Sequence, residues 1–307
     1  MSKYDISSDF KFVRLLTMPI IKQIMPVAQG VLGLLKKLDY SEDGLNVSMV
    51  KIPVRDGAKI DALLYSPEEL NHNSPLLIYY HGGAFVYNSA PYHYSLVKKY
   101  SLQTPCKVLM VDYRLAPKYA FPIPLHDCYD AYKWVLKNAE TLRINENNII
   151  LGGDSAGGAM VASVSIMARD EGLTMPRGQM LVYPVTDKRL TSESNLKYTD
   201  TPVWNSKMSV KLWDIYVQDE EPEDLYYLSP MEIEDLSGLP KAYVESTEFD
   251  CLHDDAVNYA ERLKENGVEV TVHNTKHTMH GYDMASKSEI TKESVSKRIA
   301  FLKETFE

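Results

Sequence analysis

The chain has 307 residues, 45% apolar and 24% charged, enough to bury a large core in one α/β domain or two smaller ones. Its 33 basic and 42 acidic residues leave a formal charge of −9, which argues against nucleic acid as a partner, because phosphate binding needs a basic face. Three widely spaced cysteines, Cys106, Cys128 and Cys251, contain no C-x-x-C pair; they define neither a disulfide framework nor a zinc site and suit a reducing, cytoplasmic setting.

Residues 18–35 are apolar-rich but interrupted by Lys22, Gln23, Pro26 and Gln29. The stretch is too short and broken for a membrane span or a secretory leader, so no membrane partner is expected. It reads as one or two short amphipathic helices. Residues 46–65 alternate around Arg55-Asp56-Gly57, which predicts a β-hairpin. The rhythm then changes to short apolar runs at 76–80, 107–112, 148–151, 179–185, 242–245 and 268–272, separated by helical patterns. Such runs are what a buried parallel sheet looks like in sequence.

Helices are predicted at 128–142, where Tyr132, Val135, Leu136 and Leu142 make an apolar stripe, and at 288–306. Another spans 254–266, opening on two acids and stopping at Gly267. The fold class is therefore α/β: a mostly parallel central sheet flanked by helices. Residues 187–228 are polar, carry Trp204 and Trp213, and exceed what a crossover needs. They are assigned, with residues 1–45, to a helical cap; 46–186 and 229–307 form the core.

Four elements carry chemistry. Gly153-Asp154-Ser155-Ala156-Gly157 follows the run 148–151 and precedes a helix of small residues, 158–168. A G-x-S-x-G element in this strand–turn–helix context exposes the serine Oγ on a sharp turn, with the Ala156 N–H at a helix N-terminus. His81-Gly82-Gly83-Ala84-Phe85 follows the run 76–80; its glycines let backbone N–H groups turn inward, where with Ala156 they could hold an oxyanion. Taken alone it is an ordinary loop, and His81 reads as its organiser rather than as a base.

His277-Thr278-Met279-His280-Gly281-Tyr282 follows the last strand, where a catalytic histidine of such a fold belongs. His280 is preferred because Gly281 frees its loop to turn inward; His277 and His273 compete. Glu248-Phe249-Asp250 follows the strand 242–245, and Asp250 on the loop is the preferred acid. Glu248, Asp254 and Asp255 are alternatives, the last two also reading as helix N-terminal charges.

With these motifs the chain resembles the hormone-sensitive-lipase-like esterases (bacterial esterase family IV) of the α/β-hydrolases. The resemblance runs from about Pro75 to Tyr282. Besides the motifs above it includes Asp112-Tyr113-Arg114-Leu115-Ala116-Pro117, Phe121-Pro122, Tyr183-Pro184, Leu228-Ser229-Pro230 and Leu239-Pro240. It implies a Ser155, Asp250, His280 triad, settling the choice against His277. It also implies an oxyanion hole from the N–H groups of Gly83, Ala84 and Ala156, with Gly82 shaping the loop. The family usually has a third glycine where this chain has Ala84, and proline after the acid where this chain has Cys251.

The implied reaction is hydrolysis of small-molecule acyl esters, short to medium in chain length, through an acyl-enzyme, with no metal or organic cofactor. Because the base must be neutral, activity should fall on acidification through the imidazole reference range of about 6.5. An amidase or N-deacetylase using the same triad, or a non-catalytic small-molecule receptor on the same scaffold, are the other readings. A homodimer through the last strand is possible by the same resemblance. Met18, Ile21, Leu32, Leu35, Tyr198, Trp204, Trp213 and Tyr216 could line a pocket under the cap, although such residues at helical spacing also serve as plain core.

Overall fold

The apolar runs assemble into one eight-stranded sheet, in a computed structural model that describes residues 3–16, 18, 20–35, 43–70, 72–218 and 224–307. Ahead of it the N-terminal stretch forms 3-10 turns at Ser8–Phe10 and Val13–Leu15, then a single helix, α1 (Met25–Leu35). Among the described residues no helix is long and apolar enough to cross a membrane. The predicted hairpin forms: β1 (Leu45–Pro53) pairs antiparallel with β2 (Lys59–Pro67), and Gly57 in the turn takes a φ of +84°.

Six strands follow: β3 (Ser74–Tyr80), β4 (Lys107–Asp112), β5 (Ile144–Asp154), β6 (Gly178–Val182), β7 (Lys241–Phe249) and β8 (Val270–Met279). Their order across the sheet is β1-β2-β4-β3-β5-β6-β7-β8. β2 meets β4 antiparallel, and every later pair is parallel.

Central strands are buried on both faces, so alternate residues feed two cores. Leu76, Ile78 and Tyr80 point into one, Leu77 and Tyr79 into the other. Between the strands run α2 (Pro91–Gln103), α3 (Ile123–Lys137), α4 (Ala139–Leu142) and α5 (Ala156–Asp170). Then come α6 (Glu193–Lys197), α7 (Ser206–Tyr216), α8 (His253–Glu265) and α9 (Glu289–Phe306). The first core is closed by α3, α5 and α8, the second by α2 and α9. Two-sided burial is why these strands read as unbroken apolar runs.

The helix predicted at 128–142 is two helices, parted at Asn138, and it begins earlier, with Pro124 in its first turn. α2 had no legible stripe because His93, Lys98 and Ser101 are buried beside Leu96, Val97 and Tyr100. β8 runs seven residues past its apolar run, to Met279, because its polar residues Thr271 and Lys276 lie at an open sheet edge.

Arg298 anchors α9. It is fully buried, donating to both Glu245 oxygens (2.5 and 3.0 Å) and to Asp283 Oδ2 (2.9 Å). Tyr282 and Tyr243 donate to Glu245, and Tyr183 donates to Asp283. The network ties α9 and β7 to the turn after His280. Burial pushes the Glu245 carboxyl up, but Arg298 beside it outweighs this and holds it below the usual carboxylate range. Arg298→Ala leaves two buried carboxylates without their cation, a loss of about 3–5 kcal/mol. In the variant burial outweighs what the Tyr282 and Tyr243 hydroxyls still offer Glu245, so its folded-state pKa lies above the unfolded value and protonation recovers stability as pH falls. Urea unfolding should therefore show a smaller penalty at pH 5 than at pH 8; a penalty independent of pH would mean Glu245 finds another partner.

Candidate active site

Strand register brings the candidate residues together. Tyr80 of β3 is level with Gly153 of β5, so the His81 loop and the Ser155 turn leave neighbouring strands at one height. Phe249 of β7 is level with Met279 of β8, which does the same for Asp250 and His280. All four segments leave the carboxyl ends of parallel strands, the usual ligand side of an open α/β sheet.

Ser155 links β5 to α5 with a φ of +53°, a strained conformation for a residue with a side chain. Close packing imposes it. A Cβ on Gly157 would sit 1.9 Å from the Tyr80 carbonyl oxygen, and one on Gly153 would sit 2.5 Å from the Gly157 oxygen. Only glycine fits either place, and the turn between them pushes Ser155 up to the pocket.

His280 Nε2 lies 2.9 Å from Ser155 Oγ, and its Nδ1 lies 2.7 Å from Asp250 Oδ2. Facing a carboxylate, Nδ1 carries the proton, which leaves Nε2 as acceptor for the serine hydroxyl. Asp250 is fully buried; its carboxylate also accepts the Thr247 hydroxyl (2.8 Å) and the Leu252 N–H (3.0 Å). Burial pushes its carboxyl up; the His280 imidazole and these donors outweigh that and hold it below the usual range.

The competing residues lie elsewhere. His277 is half exposed, near Asp5, and its N–H is taken by Glu248. His273 faces Ser294. Asp254 accepts the Ser194 N–H; Asp255, pushed well up by burial and by Asp187, faces Asn195.

In the His81 loop, Gly83 has a φ of +126° and Ala84 one of +55°, a conformation that costs an alanine what it would not cost the glycine usual there. His81 does organise the loop: it stacks on Tyr113 at 4.5 Å, and its Nδ1 donates to the Gly82 oxygen. The Gly82 N–H is committed to Asp154 Oδ1 at 3.0 Å. Among the described residues no acceptor takes the N–H of Gly83 or Ala84. Ala156 opens α5, where the first N–H groups have no partner within the helix.

Asp154 is the residue that sequence reading missed. Fully buried beside Ser155, it also accepts from Tyr79 (2.7 Å), Tyr92 (3.0 Å) and His93 Nε2 (3.1 Å). His93 Nδ1 accepts the Ala90 N–H, so the ring proton sits on Nε2 and points at the carboxylate. Burial pushes the Asp154 carboxyl up; the donors, His93 first, outweigh it and keep it ionised. A carboxylate inside G-x-S-x-G was the available signal, but its partners come from three distant segments.

The pocket over Ser155 is a cavity of about 90 Å³ lined mainly by apolar groups, including Met18, Tyr87, Val203, Trp204 and Met284. A larger cavity of about 190 Å³ touches His81 but none of Ser155, Asp250 or His280. Of the residues considered as pocket lining, Met18 and Trp204 reach it. Tyr216 instead stacks on Phe85 at 4.0 Å, Tyr198 and Trp213 pack in the core, and Ile21 is exposed. The side chains of Leu32 and Leu35 lie outside the described residues.

A family profile of the alpha/beta hydrolase fold matches residues 77–284. An arylesterase of Saccharolobus solfataricus is 34% identical over 85% of this chain and 84% of its own length. Carboxylesterase NlhH of Mycobacterium tuberculosis is 33% identical over 76% of this chain and 72% of its own. Among solved structures, a bacterial heroin esterase superposes with a TM-score of 0.90 at 28% identity, over 99% of this chain and 98% of that one. A Pyrobaculum calidifontis esterase gives 0.86 at 31%, over 97% and 98%. The chain belongs to the α/β-hydrolases, in their hormone-sensitive-lipase-like esterase family.

Proposed function

We propose that this chain is a serine carboxylesterase acting on short- to medium-chain acyl esters. Ser155 is the nucleophile, His280 the general base and then acid, and Asp250 the carboxylate that orients and steadies the imidazole. The observation that carries this reading is the hydrogen-bonded line from Ser155 through His280 to Asp250, at 2.9 and 2.7 Å. The kinship with enzymes named arylesterase and carboxylesterase supports it.

His280 Nε2 takes the hydroxyl proton as Ser155 Oγ attacks the ester carbonyl carbon. The oxygen turns anionic against the N–H groups of Gly83, Ala84 and Ala156, each such donor worth about 3 kcal/mol in the transition state. Gly82 shapes the loop with its own N–H spent on Asp154. Collapse expels the alcohol, protonated by His280, and water repeats the sequence on the acyl-enzyme. The small cavity over Ser155 supports short acyl groups.

The cap is assigned to the stretch ahead of β1 together with the insertion at 187–228. Lys3 and Tyr4 both donate to Asp200, bridging the two segments, and Met18 and Trp204 reach the pocket from either one. Three buried free thiols, at Cys106, Cys128 and Cys251, suit the cytoplasm. β8 leaves the sheet edge open with Thr271 and Val272 exposed, which suits pairing with a second copy.

Hydrolysis of p-nitrophenyl esters from acetate to palmitate should favour the short chains. Ser155→Ala should cut kcat by about 10⁴-fold or more, and Asp250→Asn by a comparable factor through loss of the correct tautomer. An inert, well-folded wild type would overturn the esterase reading and turn attention to anilides and ligand binding. Asp154→Asn should lower kcat more than it raises KM, because it loosens donors that act on the transition state rather than on bound substrate. Equal changes in the two would show that it disturbs substrate binding instead.

A further inference from the structure

Val203 is held at a φ of +66°, a conformation that a β-branched residue adopts only when its surroundings enforce it. The enforcing contacts all converge on the next residue. Trp204 is 3% exposed; its carbonyl accepts the Thr201 hydroxyl at 2.6 Å, and its indole N–H donates to Ser209 Oγ at 3.0 Å. Ser209, on α7, lies 3.7 Å from the sulfur of Cys251, the neighbour of Asp250. Strain at one residue thus fixes the ring of the next and links it to the acid side of the triad.

That ring faces His280, with centroids 6.2 Å apart. A Cβ on Gly281 would meet Val203 Cγ1 at 3.5 Å and Met284 Cε at 2.9 Å. Trp204 therefore shares the imidazole with Tyr183, whose ring lies 4.7 Å from it, while Val203 and Met284 flank Gly281 just after it. Tyr87 lies instead with the oxyanion loop, its carbonyl 2.6 Å from where a Gly83 Cβ would be.

The reaction distinguishes these two sides. When the tetrahedral intermediate collapses, the bond between the carbonyl carbon and the alcohol oxygen breaks, its electron pair goes to that oxygen, and the proton on His280 Nε2 follows. The alcohol oxygen must then lie within hydrogen-bond reach of Nε2, and its substituent must occupy the space beside the imidazole. Resting on the esterase reading above, we propose that Val203 and Trp204 form a rigid wall on the leaving-group side of the pocket and select against esters of long-chain alkyl alcohols. Acyl length is left to the rest of the lining.

Two ester series separate the sides: acetates of ethanol, butanol and hexanol, and ethyl esters of acetic, butyric and hexanoic acids, followed as kcat/KM by proton release. Trp204→Ala should raise the hexyl-to-ethyl acetate ratio about tenfold or more while moving the hexanoate-to-acetate ratio less than about twofold. Trp204→Phe should stay near the wild type in both. If the alanine variant does not fold, Trp204→Leu serves in the same comparison. A shift confined to the acyl series, or none in either, overturns the proposal. A wild type inert on every ester would instead bring down the esterase reading itself.

Discussion

At the centre of the sheet, backbone touches backbone. The Tyr80 carbonyl lies where a side chain on Gly157 would begin, and the Gly157 carbonyl closes on Gly153 in the same way. β3, β5 and α5 can approach this closely only because Gly153 and Gly157 carry no Cβ, and Ser155 is left the single residue of the turn that must bend around the contact. Its pocket-facing hydroxyl is thus a by-product of packing density. Loosening the packing would relieve Ser155 and lose its aim at His280.

Two buried carboxylate systems then hold the surrounding loops, by opposite electrostatic means. Glu245 and Asp283 share one cation, Arg298, and the net charge of the group is small. Among the described residues no arginine or lysine reaches Asp154; its charge is spread over a histidine N–H, two tyrosine hydroxyls and a backbone N–H. Directed neutral donors suit a site next to a developing oxyanion, since each bond also fixes a segment: β3 through Tyr79, α2 through Tyr92 and His93, the oxyanion loop through Gly82. The first system braces the turn after His280, the second the loop that carries Gly83 and Ala84.

Legibility followed the range of the interactions. Gly153, Ser155 and Gly157 could be read because the demands of a sharp turn fall on adjacent residues, and the strands because two-sided burial leaves continuous apolar runs. Asp250 and His280 could be preferred by chain order, yet His277 was separable only by resemblance, since three residues apart two histidines look alike; in the structure one is buried on Asp250 and the other half exposed. α2 and Asp154 stayed hidden because each makes sense only against the other, across 60 residues of chain. Among the aromatics of residues 187–228, spacing could not separate Trp204, at the pocket, from Trp213, in the core.

The order of strands has a consequence for how such a molecule fails. The proposed nucleophile, Ser155, directly follows β5, in the middle of the sheet, whereas the proposed base, His280, directly follows β8, the outermost strand, paired on one side only. An edge strand has a neighbour on one side only and can open locally below the free energy of the whole domain. On warming, the imidazole should part from the serine while the core is still folded, so inactivation would precede melting. The temperature limit of the catalyst is then a property of one strand's fraying, and a second copy docked along that edge would widen its working range without touching the active site.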